Sequence, residues 1–259
     1  MIAAVTAMAL VHAQAPLRCT ILIDAATGKA LVREGQCDQR VTPASTFKIA
    51  ISLMGYDSGI LQDEHTPALP FKDGYIDWLP EWRATTDPAA WMKKSVIWYS
   101  YQVTSRLGQA RFERYVNNLN YGNRDWSGLP RREDGLVLPW LSSSLKISPA
   151  EQAVFLTKLV NRKLPISAKA VDMTSRLMQF PPLNNGWKVF AKTGTGNPHV
   201  AMDKGPGGDY GWFVGWARKG QRTIVFVRLV QDENDEDIRA GLRVRDAMLA
   251  ELPGMLDAL

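Results

Sequence analysis

The sequence is poor in the residues that bind metal ions. Its 259 residues include two cysteines and three histidines, and these are scattered along the chain at Cys19, Cys37, His12, His65 and His199. Zinc sites need three or four such ligands, usually at short and regular spacings. The sequence therefore predicts no metal centre.

Long apolar segments and clusters of one charge are also missing. A membrane-spanning helix needs about 20 consecutive apolar residues, and no stretch after residue 15 meets that requirement. The 31 Lys and Arg exceed the 26 Asp and Glu, giving a net charge of +5, but they are spread along the chain. We therefore expect a soluble mature protein without a membrane span. We do not expect nucleic-acid binding, which favours clustered basic residues.

The N-terminal segment has the character of an export signal. The first fifteen residues are small and apolar and end in Ala13-Gln14-Ala15, although they contain no Lys or Arg. An apolar region followed by such a site is typical of a secretory signal. We interpret residues 1–15 as a signal peptide or its remnant, and we expect residues 16–259 to form a single catalytic domain in the periplasm. With 46% hydrophobic residues, a chain of this length can bury a full core.

The two cysteines suit the same compartment. Cys19 and Cys37 lie symmetrically about Gly28, near the outer ends of two β-like runs over residues 19–23 and 29–33. If these runs form a hairpin, the two cysteines face each other, and a disulfide can form under oxidising conditions. Two separate buried thiols are the alternative.

Strand patterns occur towards both ends of the chain and helical patterns between them. Strands are predicted over residues 18–32 (as a hairpin), 187–192, 211–217 and 223–230, and helices from residue 45 and over 102–119, 149–161, 167–179 and 239–252. Together these predict an α+β fold. An antiparallel sheet is built from both termini and flanked by helices, with a mostly helical second region.

The stretch around Ser45 combines a nucleophile with a base. Pro43 suits the first position of a helix, and apolar residues recur after it at helical spacing, so a buried helix is predicted to start just before Ser45. Lys48 follows three residues later and shares the same helical face. Because burial lowers the pKa of an amine, Lys48 could accept the proton of the Ser45 hydroxyl.

Three further motifs accompany this pair: Ser95-Val96-Ile97, Tyr121-Gly122-Asn123 and Lys192-Thr193-Gly194. With Ser45-Thr46-Phe47-Lys48 they resemble, in order and spacing, the serine β-lactamases and penicillin-binding proteins. Within that superfamily the chain is similar to class D, the oxacillinases, in which S-T-F-K, S-x-V and Y-G-N are common. The chain has no S-D-N motif at the second position and no E-x-x-L-N segment, which argues against class A.

The resemblance implies catalytic roles. Ser45 would attack the lactam carbonyl. Lys48, carboxylated at its amine by carbon dioxide, would be the general base in acylation and in deacylation, with no dissociable cofactor. Trp140 would hold the carbamate through its indole N–H, and Ser95 would relay a proton to the lactam nitrogen.

The resemblance also implies the groups that bind the substrate. Lys192 and Thr193, in the Lys192-Thr193-Gly194 motif, would bind the substrate carboxylate. The backbone N–H groups of Ser45 and Thr195 would form an oxyanion hole. An arginine of the last helix would assist, and by its spacing Arg245 fits best, with Arg243 as the alternative.

Three more residues are expected to shape the site. Tyr121 and Asn123 would form a wall, a structural role more than a chemical one. Ile97 stands where the motif usually has Val, and its additional methylene would narrow the access of water to the carbamate.

The resemblance predicts hydrolysis of penicillins and related antibiotics, which confers resistance. A β-lactam sensor domain, which retains the acyl group, is an alternative, but such receptors carry membrane spans ahead of the sensor. A cell-wall DD-peptidase is another, but it fits Tyr121-Gly122-Asn123 and Trp140 poorly. The expected partners are β-lactam antibiotics, and the protein is expected to be a monomer or a homodimer.

Overall fold

The computed structural model describes residues 17–127, 139–197, 208–232 and 237–259. The predicted signal segment over residues 1–15 lies outside the described residues, as do His12 and His199. No helix in these described ranges combines the length and the apolar character needed to cross a membrane.

An antiparallel sheet forms the centre of the fold. Its strands are β1 (Arg18–Asp24), β2 (Ala30–Gly35), β3 (Lys188–Gly196), β4 (Tyr210–Lys219) and β5 (Arg222–Gln231). Their order across the sheet is β2-β1-β5-β4-β3. Strand β1 pairs with β5 in a register that places Ile21 opposite Val227. The predicted sheet built from both termini is thus confirmed.

Helices cover both faces of this sheet and form the middle of the chain. They are α1 (Lys48–Asp57), α2 (Pro88–Lys94), α3 (Ile97–Leu107), α4 (Gln109–Asn118), α5 (Pro139–Ser142), α6 (Pro149–Val160), α7 (Ala168–Leu177) and α8 (Ala240–Asp257). On one face, Val244, Met248 and Leu252 of α8 belong to a buried apolar cluster with Phe213 and Phe226 of the sheet. Helix α6 contacts β1, β4 and β5. The predicted α+β class is confirmed.

Two predicted helices differ in detail. The predicted helix over residues 102–119 is two helices, α3 and α4, which meet at Gly108. Gly108 has φ +76°, a backbone conformation that favours glycine and interrupts a helix. The helix expected to carry Ser45 begins instead with a 3₁₀ turn, Ala44–Phe47, and Lys48 is the first residue of α1.

A disulfide joins Cys19 to Cys37, with 5.1 Å between their Cα atoms. It links β1 to the segment that follows β2, so the predicted pairing is confirmed and the two thiols are not separate. The carbonyl of Cys37 accepts a hydrogen bond from the backbone N–H of Ala150, at 3.0 Å, in the first turn of α6. The hairpin is therefore fixed to the helix behind the sheet.

Candidate active site

Ser45 lies on a short turn with unusual backbone geometry. Ala44, directly before it, is fully buried and has φ +48°, in the left-handed region. The backbone N–H and the hydroxyl of Thr46 both donate to the carbonyl of Pro43, at 3.1 and 2.6 Å. The serine is thus held on a strained, buried turn and not in a regular helix.

Lys48 is the nearest base to Ser45. Its Nζ lies 3.1 Å from Ser45 Oγ, and its side chain is fully buried. Burial lowers the pKa of the amine well below its ordinary value, and the positive charge of Lys192 lowers it further. Within the described ranges Lys48 forms no ion pair with a carboxylate. Both effects favour the neutral amine, which can accept a proton.

Lys192 and Ser95 form the second polar pair. Lys192, on β3, donates from Nζ to Ser95 Oγ and to the carbonyl of Thr193, each at 3.1 Å. Ser95 follows the end of α2 with φ +59°. Lys192 is 4% exposed, and burial, together with the charge of Arg239, lowers its pKa to about 7. A lysine with this pKa can either donate or accept a proton near neutral pH.

Trp140 has an unused hydrogen-bond donor. The residue is 1% exposed, and its ring packs against Phe47 and Phe112 at centroid distances of 5.3 and 6.1 Å. Its indole N–H is buried and has no hydrogen-bond partner in the described part of the chain. Buried indole N–H groups ordinarily have a hydrogen-bond acceptor. The N–H of Trp140 is therefore available to an acceptor that the described residues do not supply.

Strand β3 packs closely against the Ser45 turn. A Cβ atom added at Gly194 would lie 3.1 Å from the carbonyl oxygen of Pro43 and 3.2 Å from the backbone nitrogen of Thr46. The hydroxyl of Thr195 accepts a hydrogen bond from the N–H of Gly241, at 2.9 Å, in the first turn of α8. Glycine at position 194 thus lets the strand contact the serine turn, and Thr195 fixes the strand to α8.

Tyr121 packs against the turn that carries Ser45, and Asn123 forms hydrogen bonds with the segment after α5. Tyr121 is fully buried, and its ring meets Phe47 edge-on at 5.0 Å. The Asn123 side chain donates to the carbonyl of Ser144 at 2.7 Å and accepts from the N–H of Lys146 at 3.0 Å. Both residues hold neighbouring segments of the fold, and their place in the wall of the site stays a prediction. Ile97, at the start of α3, is buried with 3% exposure.

The arginines on and beside the last helix differ in their partners. Arg245 pairs with its neighbour Asp246, with Nε 2.7 Å from a carboxylate oxygen, and Arg243 pairs with Asp232. Arg239, directly before α8, is the arginine whose charge acts on Lys192. Arg239 was not among the arginines that the sequence favoured. Its position at the start of α8 is the signal that points to it. Gly241, two residues later, packs closely against Gly194 and so holds the start of α8 beside β3.

The site contains two pairs of a hydroxyl and an amine, Ser45 with Lys48 and Ser95 with Lys192, in which the lysines are buried and the serines are half-buried. It brings together the predicted Ser45, Lys48, Ser95 and Lys192. Among the described residues, no group of three or more His, Cys, Asp or Glu could hold a metal ion. The chemistry that this geometry supports is activation of a serine nucleophile by a desolvated amine.

Comparison with known proteins agrees with this geometry. The family described as penicillin-binding protein transpeptidase domain matches residues 18–253. β-Lactamase OXA-9 of Klebsiella pneumoniae is 42% identical over 248 residues, which cover 93% of this chain and 88% of the relative. β-Lactamase OXA-1 of Escherichia coli is 34% identical over 88% of this chain and 80% of its own. The crystal structure of the class D β-lactamase OXA-427 has 48% identity and a TM-score of 0.86, covering 93% of this chain and 99% of that one. The chain therefore belongs to the class D β-lactamases.

Proposed function

We propose that this β-lactamase opens the lactam ring of penicillins and related antibiotics through an acyl-enzyme on Ser45. The observation that carries the proposal is the 3.1 Å distance between Ser45 Oγ and the buried amine of Lys48. A nucleophile beside a base of lowered pKa is the arrangement that nucleophilic catalysis requires.

In acylation, Lys48 in its carboxylated form takes the proton of the Ser45 hydroxyl as the oxygen attacks the lactam carbonyl. The carbonyl–nitrogen bond of the ring then breaks, and the nitrogen receives a proton through Ser95, which Lys192 can resupply. The backbone N–H groups of Ser45 and Thr195 would stabilise the oxyanion, an effect typically of about 2.7–4 kcal/mol per donor. The contact of Gly194 with the serine turn supports this placement of Thr195.

The surroundings of Lys48 fit a carbamate formed from carbon dioxide. Only an unprotonated amine adds carbon dioxide, and burial of Lys48 favours that form. The unpartnered indole N–H of Trp140, whose ring packs on the neighbouring Phe47, fits a donor to a carbamate oxygen. The carbamate would supply a general base for the water that releases the acyl group, without a dissociable cofactor.

For the substrate carboxylate we propose Lys192, Thr193 and Arg239. Lys192 is buried and Arg239 is exposed; burial is the larger cause of the lowered pKa of Lys192, and the positive charge of Arg239 lowers it further. An anion between them would relieve that repulsion. Arg245, which the sequence favoured, already neutralises part of its charge on Asp246.

We also propose that the protein acts in the periplasm, after removal of residues 1–15, as a single catalytic domain over residues 16–259. The disulfide between Cys19 and Cys37 supports an oxidising compartment. A monomer or a homodimer would suit this role.

Time-resolved intact mass spectrometry with excess penicillin tests the mechanism. We expect a transient adduct on Ser45 that disappears as the hydrolysed product accumulates. Ser45→Ala should form no adduct, and Lys48→Ala should form one slowly and then retain it. A lasting adduct on the unmodified protein would instead identify a sensor domain or a peptidase, and full turnover by Lys48→Ala would contradict the carbamate mechanism.

A further inference from the structure

Gln152 makes a buried polar contact with the turn that carries Ser45. It lies on α6, it is fully buried, and its Nε2 donates to Thr46 Oγ1 at 2.9 Å, across 106 positions of sequence. A buried amide N–H is costly unless it is hydrogen-bonded, so this contact fixes the NH₂ group of Gln152 on Thr46; Gln152 Oε1 has no hydrogen-bond partner among the described residues. Thr46 is the residue directly after Ser45.

The hydroxyl of Thr46 is engaged on both sides. It accepts from Gln152 and donates to the carbonyl of Pro43, at 2.6 Å. Between Pro43 and Thr46 lie Ala44, with its φ of +48°, and Ser45. Strained backbone of this kind persists only where its surroundings hold it. The chain of hydrogen bonds from Gln152 through Thr46 to Pro43 closes the strained turn from the side of α6.

Helix α6 is a firm support for that contact. Ser148 and Glu151 form a capping box at its N-terminus. Arg40 donates from Nε to a carboxylate oxygen of the same Glu151 at 2.9 Å. Gln152 is the next residue along the helix, so its side chain projects from a helix end that is fixed by several polar contacts.

We propose that Gln152 is a positioning residue for the nucleophile, acting through Thr46 to hold Ser45 at its distance from Lys48. The inference rests on the proposed acylation of Ser45. Gln152 belongs to none of the sequence motifs of the site. Its removal leaves the Thr46 hydroxyl held by the carbonyl of Pro43 alone, so the strained segment is less constrained and can relax, which shifts Ser45 Oγ and the backbone N–H of Ser45 together.

Gln152→Met tests the proposal because it keeps the length of the side chain and removes the amide. We expect the second-order rate constant for acylation, measured by stopped flow with a chromogenic cephalosporin, to fall about 10- to 100-fold, since a misplacement near 1 Å can cost that much. The matched control is Thr174→Val. It removes another buried hydrogen bond, the one of 2.8 Å between Thr174 Oγ1 and Ser52 Oγ on α1. It should lower the melting temperature to a similar extent and leave the acylation rate unchanged.

Two further variants separate positioning from general packing. Thr46→Val should slow acylation at least as much as Gln152→Met, and the double variant should be no slower than Thr46→Val alone, because both changes break one chain of contacts. In Gln152→Glu, a protonated carboxyl can still donate to Thr46 and a carboxylate cannot. Its acylation rate relative to the unmodified protein should therefore recover as the pH is lowered.

The opposite results would overturn the inference. Gln152→Met would then acylate at the rate of the unmodified protein, or the reductions in acylation rate would multiply in the double variant. Thr174→Val slowing acylation as much as Gln152→Met would also overturn the inference. If the unmodified protein forms no adduct on Ser45, the proposed function fails first, and that outcome is seen without any Gln152 variant.

Discussion

The amine of Lys192 donates a hydrogen bond of 3.1 Å to the hydroxyl of Ser95, across 97 positions of sequence. Strand β3 carries one partner, and the end of α2 carries the other. The contact joins the sheet to the helical region, and it places an amine with a pKa of about 7 beside the proposed proton relay. Burial of the positive charge of Lys192 also lowers the free energy of unfolding, and this effect can be measured.

Lys192 should make the stability of the protein depend on pH. Its pKa is lowered from 10.5 to about 7 in the native state, so between these values the unfolded chain binds a proton that the native state does not. Native stability therefore rises as the pH increases from about 7 towards 10.5, and the penalty is largest below 7. Relative to Lys192→Met, the free energy of unfolding should increase by about 2 kcal/mol between pH 7 and 9.

Urea unfolding of both proteins at the two pH values measures this difference. Lys188, at the exposed start of the same strand, provides the control, because Lys188→Met should leave the pH dependence unchanged. Parallel pH profiles for Lys192→Met and the unmodified protein would show that the native state does not depress the pKa of Lys192.

The indole N–H of Trp140 should matter for deacylation. Trp140→Phe keeps an aromatic ring against Phe47 and removes the donor, so a carbamate on Lys48 would lose a hydrogen bond. We expect deacylation to slow at least 10-fold, in line with the loss of a hydrogen bond to a charged group, and to recover partly with added bicarbonate. Single-turnover kinetics with and without bicarbonate measure both effects.

Trp91→Phe is the matched control for this change. Trp91 is equally buried, and its indole N–H donates to Ser100 Oγ at 2.8 Å. Its substitution should lower stability without producing a response to bicarbonate. A bicarbonate response of the same size in both variants would contradict a specific role for Trp140.

Arg239 should recognise the substrate carboxylate, and Arg245 should not. Arg239→Ala removes a cation whose charge acts on Lys192, so we expect the KM for penicillins to rise about 10-fold or more, with a smaller change in kcat. Arg245→Ala removes a cation already paired with Asp246 and should leave KM within about twofold. Steady-state kinetics on both variants decide the assignment, and the reverse pattern would restore Arg245.

Ile97→Val tests whether the additional methylene limits the access of water. Ile97 is 3% exposed at the start of α3, two residues after Ser95. The smaller side chain should speed deacylation for several substrates and cost about 0.5–1.5 kcal/mol of stability. Rate constants for loss of the acyl adduct check the first effect, and unchanged rates across those substrates would end the hypothesis.

Local patterns in the sequence predicted the parts of the site that lie close together in the chain. The spacing of Ser45 and Lys48 predicted their contact, since three residues span about one helical turn in either the α or the 3₁₀ form. The alternating strands predicted a sheet from both termini. Gly108 was overlooked as a helix break because one glycine within a periodic pattern is often tolerated.

Contacts between distant segments could not be predicted in the same way. Arg239 and Gln152 belong to no local motif, and the roles proposed for them follow from the packing of α8 and α6 against the rest of the fold. Ordinary helix propensity also gave no sign that Ala44 has a positive φ, because that conformation depends on Thr46, Pro43 and the strand beside them. Tertiary packing is what selects these features.

The strand order described above also bears on how the molecule is made. The middle of the sheet places β1, from the start of the chain, against β5, from near its end, so this pairing must wait until almost the whole polypeptide has been synthesised. Contacts between residues so distant in sequence form slowly, because the chain loses the entropy of closing a large loop before these contacts stabilise it. A ribosome that stops before β4 would release a chain with Ser45, Lys48 and Lys192 all present but with β3 lacking its sheet partner. Truncations that remove β4 and β5 should therefore abolish resistance as completely as loss of the serine itself.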